Sequence, residues 1–319
     1  LIFRLVKSIG RLPNVIYMLV YDRALAERIV KERYPSEGAH YLEKIVQAAF
    51  ELPHPSPLDV QHHLLRSIES ICGAPAEAEM VRFMNIFYEG ISPSIRTPRD
   101  LIRFTNSIAV SWPAIAGEAD RADFLALEMI RLLQPEVYRI IRENKEELSG
   151  TGNGSAHDSS TRASHFSELF VGTIAPPDNE KTRRLLMRLF PALESAWGNI
   201  TYEERSLRQW AMARRVCSPE HFDIYFRLSI SENALSSKEL NTLLDRADDI
   251  EYVKSTLLRA ATITRRDGGT KVAVWLNELT THAERVDRSK VGSLTRALDR
   301  KSTRLNSSHT DISRMPSSA

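Results

Sequence analysis

From Ser56 onward the apolar residues recur at helical spacing, and no further run reads as a strand, so any β-sheet is confined to the first fifty or so residues. The expected fold class is therefore mostly α, with a short α/β segment at the start. Ser56-Pro57-Leu58-Asp59 supplies an N-cap, a proline at the first helical position and an acid in the first turn, and Val60, Leu64, Leu65, Ile68 and Ile71 carry that helix to Cys72 and Gly73. Further helices are expected over about 76–89, 97–110 and 121–133, with another from Pro135 to about 147. Before residue 56 the reading differs. Leu1, Ile2, Leu5, Val6 and Ile9 share one helical face, and Ala24–Glu32 and Tyr41–Val46 read as helical. Val15–Tyr21 is a continuous β-branched and aromatic run, the pattern of a strand buried on both faces, and Ala48–Leu52 before Pro53 reads as a last strand.

Ser149–Ser164 is rich in Gly, Ser and Thr and holds no large apolar residue, so residues 149–165 are expected to be a flexible loop. Beyond it, residues 166–300 read as helical again. Leu185, Leu186, Leu189, Phe190, Leu193 and Trp197 mark one face; Ser218-Pro219-Glu220 reads as a cap; Ser236–Glu239 is a capping box; and Gly268-Gly269 separates the last two helices. The expected division is thus 1–53, 54–148, 149–165 and 166–300. Residues 301–319 lack periodicity, resemble translated sequencing-adapter read-through and are expected to be non-native. The chain opens inside an amphipathic helix without Met, N-cap or signal peptide, and so reads as a fragment.

Composition narrows the functional classes. Of 319 residues 42% are hydrophobic, enough for a substantial core, and the net charge of +2 provides no overall field toward nucleic acid or an anionic membrane. The two cysteines, Cys72 and Cys217, have no Cys or His at metal-ligand spacing, which argues against a disulfide scaffold or a zinc site and for a reducing, cytoplasmic setting. The longest apolar run, Val15–Tyr21, is far short of a membrane span.

Three places could carry chemistry. The Val15–Tyr21 run ends in Asp22-Arg23 and leads into a helix, where open α/β sheets bind their ligands; the competing reading is that Asp22 simply N-caps the helix. Thr97 and Pro98 start a helix on which Arg96, Arg99 and Arg103, at i, i+3 and i+7, share one side and could clamp phosphate oxygens, against the reading that they are surface arginines pairing with Asp100 and nearby acids. Cys217 and His221 lie at i and i+4, but no third group completes a catalytic set and a structural role is favoured. His62-His63 and the basic pairs Arg183-Arg184, Arg214-Arg215 and Arg265-Arg266 read as solvated surface. No G-x-x-x-x-G-K-[ST] occurs, and neither Gly150–Gly154 nor Gly268–Lys271 has that spacing, so the chain as it stands lacks the equipment for phosphoryl transfer.

In order, Ile2–Lys7, Leu12–Asp22, Tyr41–Gln47, Phe50–Pro53 and Thr97–Asn106 resemble the bacterial KAP family of P-loop NTPases, and Arg215–Phe226 resembles its downstream part. The resemblance implies an ATPase core whose Walker A and Walker B motifs are not in this chain. Residues 1–53 would be the carboxyl-terminal part of that core and residues 54–148 a helical lid, with Asp22 at a strand end and Arg99 and Arg103 at a basic helix start. It further implies ATP and magnesium as cofactors of a longer parent, which would hydrolyse ATP as a conformational switch, with none expected for the fragment. Membrane association would come only through segments not present here. A protein partner is expected and nucleic acid is not. The competing functions are a non-enzymatic helical interaction module and a nucleic-acid-associated defence protein.

Overall fold

The computed structural model describes residues 2–9, 12–35, 40–53, 55–151, 156–172, 178–229, 235–264 and 268–298, and the chain divides into two compact units, Leu1–Pro55 and Ser56–Ala319. The tail 301–319, the pair Arg265-Arg266 and the Gly152–Gly154 part of the loop lie outside the described residues.

The first unit holds helices α1 (Ile2–Ile9), α2 (Arg23–Arg33) and α3 (His40–Glu43). Its small core is Ala26 and Val30 of α2 with Tyr41 and Leu42 of α3, and Phe3, Tyr21, Tyr34 and Ile45 pack against them. Tyr34 stacks on Tyr41 with ring centroids 4.8 Å apart, and Phe3 meets Tyr21 edge-on at 5.2 Å. The expected strands are not formed. Val15–Tyr21 and Ala48–Leu52 are irregular, because a strand is a property of a hydrogen-bonded pair and neither run has a ladder neighbour among the described residues. Residues in the first run still alternate: Tyr17, Leu19 and Tyr21 are half-buried, whereas Ile16 is 96% and Val20 82% exposed.

In the second unit α4 (Pro57–Cys72) starts at Ser56, whose Oγ accepts the Asp59 amide at 3.1 Å, and ends at Gly73, whose φ of 78° is open to glycine at no steric cost. After it come α5 (Glu77–Ile86), a π-helical turn Phe87–Ile91, α6 (Ser92–Ser94), α7 (Pro98–Ile115), α8 (Arg121–Leu133), α9 (Pro135–Glu143) and α10 (Lys145–Leu148). The chain continues as α11 (Ala156–Phe166), a second π turn Ser167–Val171, α12 (Asp178–Leu189), α13 (Pro191–Gly198), α14 (Glu204–Met212) and α15 (Phe222–Arg227). One apolar core joins these elements, from Val60 to Tyr225. A second core, from Leu235 to Ala297, belongs to α16 (Ser237–Asp245), α17 (Ile250–Ala261), α18 (Lys271–Thr281) and α19 (Val291–Leu298). One helix therefore follows the pair that Gly268-Gly269 separates.

Two local expectations are corrected. Residues 156–165 of the expected loop are helical, in a helix that runs to Phe166. Their intrinsic propensity is low, but Phe166 is buried, and the Trp197 indole N–H donates to the Ala163 carbonyl and Ser167 Oγ at 3.2 Å, so tertiary packing overrides composition. Ser218 does not cap α15. The helix starts at Phe222, after a turn in which the Phe222 amide bonds the Ser218 carbonyl at 2.9 Å and Ser218 Oγ donates to Glu220 at 2.5 Å.

Helix α8 is enclosed by its neighbours, so even its polar positions are inside, and Asp123 is 0% exposed. Its carboxylate accepts from Arg82 of α5, accepts the Val216 amide at 2.9 Å and lies 3.6 Å from Arg215. Arg82 also donates to Asp120 at 2.7 Å, the Asp120 amide donates to the Tyr225 hydroxyl at 2.8 Å, and that hydroxyl donates to the Arg214 carbonyl at 2.5 Å. Burial alone would lower the Arg82 guanidinium, but Asp123 and Asp120 outweigh it and hold it above its ordinary value; burial likewise pushes the Tyr225 hydroxyl well up.

Asp123→Ala is expected to cost about 3–5 kcal/mol by denaturant unfolding, because two cations lose a buried partner, whereas Asp178→Ala, which frees the exposed Arg96, should cost less than about 1 kcal/mol. Gly90→Ala is expected to cost about 1–3 kcal/mol, since an added Cβ would stand 2.6 Å from Cδ1 of the buried Leu185; a melting curve matching the parent's would exclude that close approach.

Candidate functional site

Helix α7 begins with a reciprocal cap: Thr97 Oγ1 accepts the Asp100 amide at 3.1 Å, and the Asp100 carboxylate accepts the Thr97 amide at 3.2 Å. Phe104, Ile108, Ser111, Trp112 and Ile115 turn into the core, and Trp112 meets Phe124 of α8 at 5.2 Å. This fixes which arginines face water. Arg96 does not join the other two: it donates to Asp178 at 2.5 Å and to the Pro93 carbonyl at 3.1 Å. Arg99 and Arg103 are exposed, and neither is ion-paired with a carboxylate among the described residues. Asp100, which could have neutralised them, is engaged by the cap.

Arg103 lies on an open groove of about 490 Å³ between α7 and α8, lined also by Asn106, Ser107, Val110, Ser111, Arg131 and Leu132. On its far wall Arg131 is already committed, with Nε 2.9 Å and Nη2 2.6 Å from the Glu128 carboxylate and Nη2 2.6 Å from Ser107 Oγ. Glu128 is buried and also accepts from Ser107. Hydrogen bonding to Glu128 raises the Arg131 guanidinium above its ordinary value. The groove thus presents Arg103 as a cation without a local counter-charge, beside a second arginine whose charge is largely spent. Such a guanidinium can take a phosphate or carboxylate oxygen from solvent.

Asp22 belongs to the first unit and is the N-cap of α2, its Oδ1 accepting the Leu25 amide at 2.8 Å. The capping reading of that position is realised. His62 and His63 are exposed. Cys217 and His221 are both buried, flanking a turn rather than sharing a helix face, and burial pushes the Cys217 thiol up to about 12, so it is a poor nucleophile at neutral pH. Cys72 is likewise raised by burial, to about 11.

The solvated reading of the basic pairs fails at Arg214-Arg215. Arg214 donates to the buried Glu118 and, at 2.8 Å, to the Gly117 carbonyl, while Arg215 donates to the Arg188 carbonyl at 2.6 Å and faces Asp123. Neither Arg82 nor Asp123 has a sequence signature, because partners some forty residues apart on different helices leave no local period. Arg183 sits over the Trp197 ring at 5.1 Å, and Arg184 pairs with Glu180 at 3.1 Å on the surface. Among the described residues no group of three His, Cys, Asp or Glu side chains is arranged to hold a metal ion, and no helix is long and apolar enough to cross a membrane.

The family model of the KAP family P-loop domain matches residues 1–113, a stretch that contains Asp22, Arg99 and Arg103 and ends within α7. Residues 1–113 are thus similar to the KAP family P-loop domain. The matched stretch takes in the first unit and the α7 side of the groove. The chain is also similar to the phage T7 exclusion protein of Escherichia coli (strain K12), with 24% identity over 260 residues, covering 77% of this chain and 35% of that protein. The chain spans about a third of the length of that curated relative. No solved structure matches.

Asp22→Ala is expected to weaken α2 by about 1 kcal/mol, read as roughly fivefold faster hydrogen exchange at the Leu25 amide, whereas Asp22→Asn, which keeps an acceptor, should change it little. Equal effects of the two substitutions would mean that the cap does not hold the helix start.

Proposed function

We propose that this chain is part of a longer KAP-type P-loop NTPase that binds ATP and hydrolyses it as a conformational switch. The observation that carries the reading is the KAP P-loop domain match over residues 1–113. In this reading Val15–Tyr21 is a sheet strand that requires neighbouring strands, which accords with the alternation of Tyr17, Leu19 and Tyr21 against Ile16, Met18 and Val20. Asp22 stands at the end of that strand and caps the following helix. Helices from residue 54 to 148 act as a lid, with Arg99 and Arg103 reading the phosphates.

The residues present fit part of that ligand. Arg99 and Arg103, exposed and without carboxylate partners among the described residues, suit a polyphosphate anion. Magnesium is not provided for by the described residues, and no phosphate-cradling loop lies in the sequence, so no chemical step is assigned to this chain. The name of the similar Escherichia coli protein favours phage exclusion as the process served, which gives the defence reading a support that the arginine pairs alone do not. A non-enzymatic helical interaction module remains the competing reading of the chain, most of which is helix without a complete catalytic set.

In the full-length protein, Arg103→Ala is expected to lower nucleotide affinity or ATPase rate about ten- to a hundredfold, the loss of one charge-assisted contact, while Arg184→Ala should change either by less than about twofold. Nucleotide titration and steady-state hydrolysis on both variants, with matched melting temperatures, provide the comparison. Equal, near-parental behaviour would remove the lid assignment.

A further inference from the structure

A phosphate held by Arg99 and Arg103 would leave the rest of their helix face uncovered. The outward side of α7 carries Arg99, Ile102, Arg103, Asn106 and Val110, opposite the buried Phe104, Ile108 and Ile115. Ile102 is 55% and Val110 80% exposed. The one acid of α7, Asp100, is held in the Thr97 cap, so this face is cationic and apolar with no free carboxylate of its own.

A single exposed aliphatic side chain is ordinary, but Val110 also lines the groove between α7 and α8, with Leu132 on the α8 side. The polar groups of that groove are largely spent. The Ser111 hydroxyl donates to the Ser107 carbonyl at 3.0 Å, Ser107 Oγ donates to Glu128, and Arg131 is held by Glu128 and Ser107. What an incoming molecule meets is an aliphatic strip with the free Arg103 at one end and Asn106 between.

We propose that this face docks an amphipathic helix of a partner protein, whose aliphatic side chains cover Val110 and Leu132 and whose carboxylates pair with Arg103 and Arg99. The spacing sets the form of the partner. Arg103 and Val110 are separated by about 10 Å along the helix axis, and a carboxylate and an aliphatic side chain seven residues apart on a second helix lie on one side of it at the same distance. Charge sets its sign, because two guanidinium groups without a carboxylate partner among the described residues are matched by acids. A nucleic-acid strand fits less well, since the strip offers no aromatic ring on which a base could stack, and a membrane surface needs more than two arginines and two short aliphatic side chains. The docking face goes beyond the nucleotide reading without requiring it, and partner and phosphate are expected to compete for Arg103.

The probe is a synthetic helical peptide of about 18 residues, with glutamates on one turn and leucines seven residues further along the same face, titrated against the full chain. A second peptide carries lysine in place of each glutamate, and inorganic tripolyphosphate reports phosphate binding. Expected is that the glutamate peptide binds and the lysine peptide does not, and that Arg103→Ala and Val110→Asn each lower the affinity about tenfold. Tripolyphosphate should displace the peptide, and its own affinity should fall in Arg103→Ala but not in Val110→Asn. Both side chains are exposed, so melting curves should match the parent's.

Equal binding of the two peptides, binding of neither, or an unchanged affinity in Val110→Asn would overturn the docking face. So would self-association of the chain that Val110→Asn abolishes, which would give the face to a second copy. Tripolyphosphate binding untouched by Arg103→Ala, with the glutamate peptide still weakened by both substitutions, would remove the nucleotide reading and leave the docking face standing.

Discussion

Everything in the larger helical core is arranged around a carboxylate that never reaches water. Asp123 sits on the enclosed helix α8 between Arg82 of α5 and the Arg215 segment, and it also accepts the Val216 amide. A lone buried carboxylate is prohibitive, so α8 can be enclosed only if α5 and the chain at 214–216 close on it together. The network thereby ties residues far apart in sequence into one register. Tyr225 extends it by bridging the Asp120 amide and the Arg214 carbonyl, which sets where α15 lies relative to the start of α8.

That register decides what the surface offers. With α8 fixed, α7 packs on it through Trp112 and Phe124, and the helical period then requires Arg99 and Arg103 to face outward whenever Phe104 and Ile108 face inward. The electrostatics follow from local pairing. Arg96 is taken by Asp178, Arg131 by Glu128 and Ser107, and Asp100 by the Thr97 cap, so the cation available to an incoming anion at the groove is Arg103.

Attachment of the last four helices follows a different logic. Ser237 at the start of α16 donates to the buried Glu118, which also accepts from Arg214, so one carboxylate serves both segments. The last four helices bury their apolar residues in a core of their own, distinct from the larger one.

Helices were legible in the sequence wherever local rules suffice. Ser56 before Pro57, the Thr97–Asp100 box, the Ser236–Glu239 box and the Asp22 cap each satisfy an orphan backbone amide within three residues, so α4, α7, α16 and α2 start where their side chains dictate. The outward placement of Arg99 and Arg103 follows from the same period. What depends on distant partners was not legible. Val15–Tyr21 has strand composition but no ladder neighbour among the described residues, residues 156–165 have loop composition but are helical beside Trp197, and Arg214-Arg215 looks solvated until Glu118 and Asp123 arrive from another helix. The sequence by itself therefore determined the helical elements and their caps, which rest on contacts three or four residues apart; only the tertiary structure decided which charges are buried and which are free, because that depends on which helices meet.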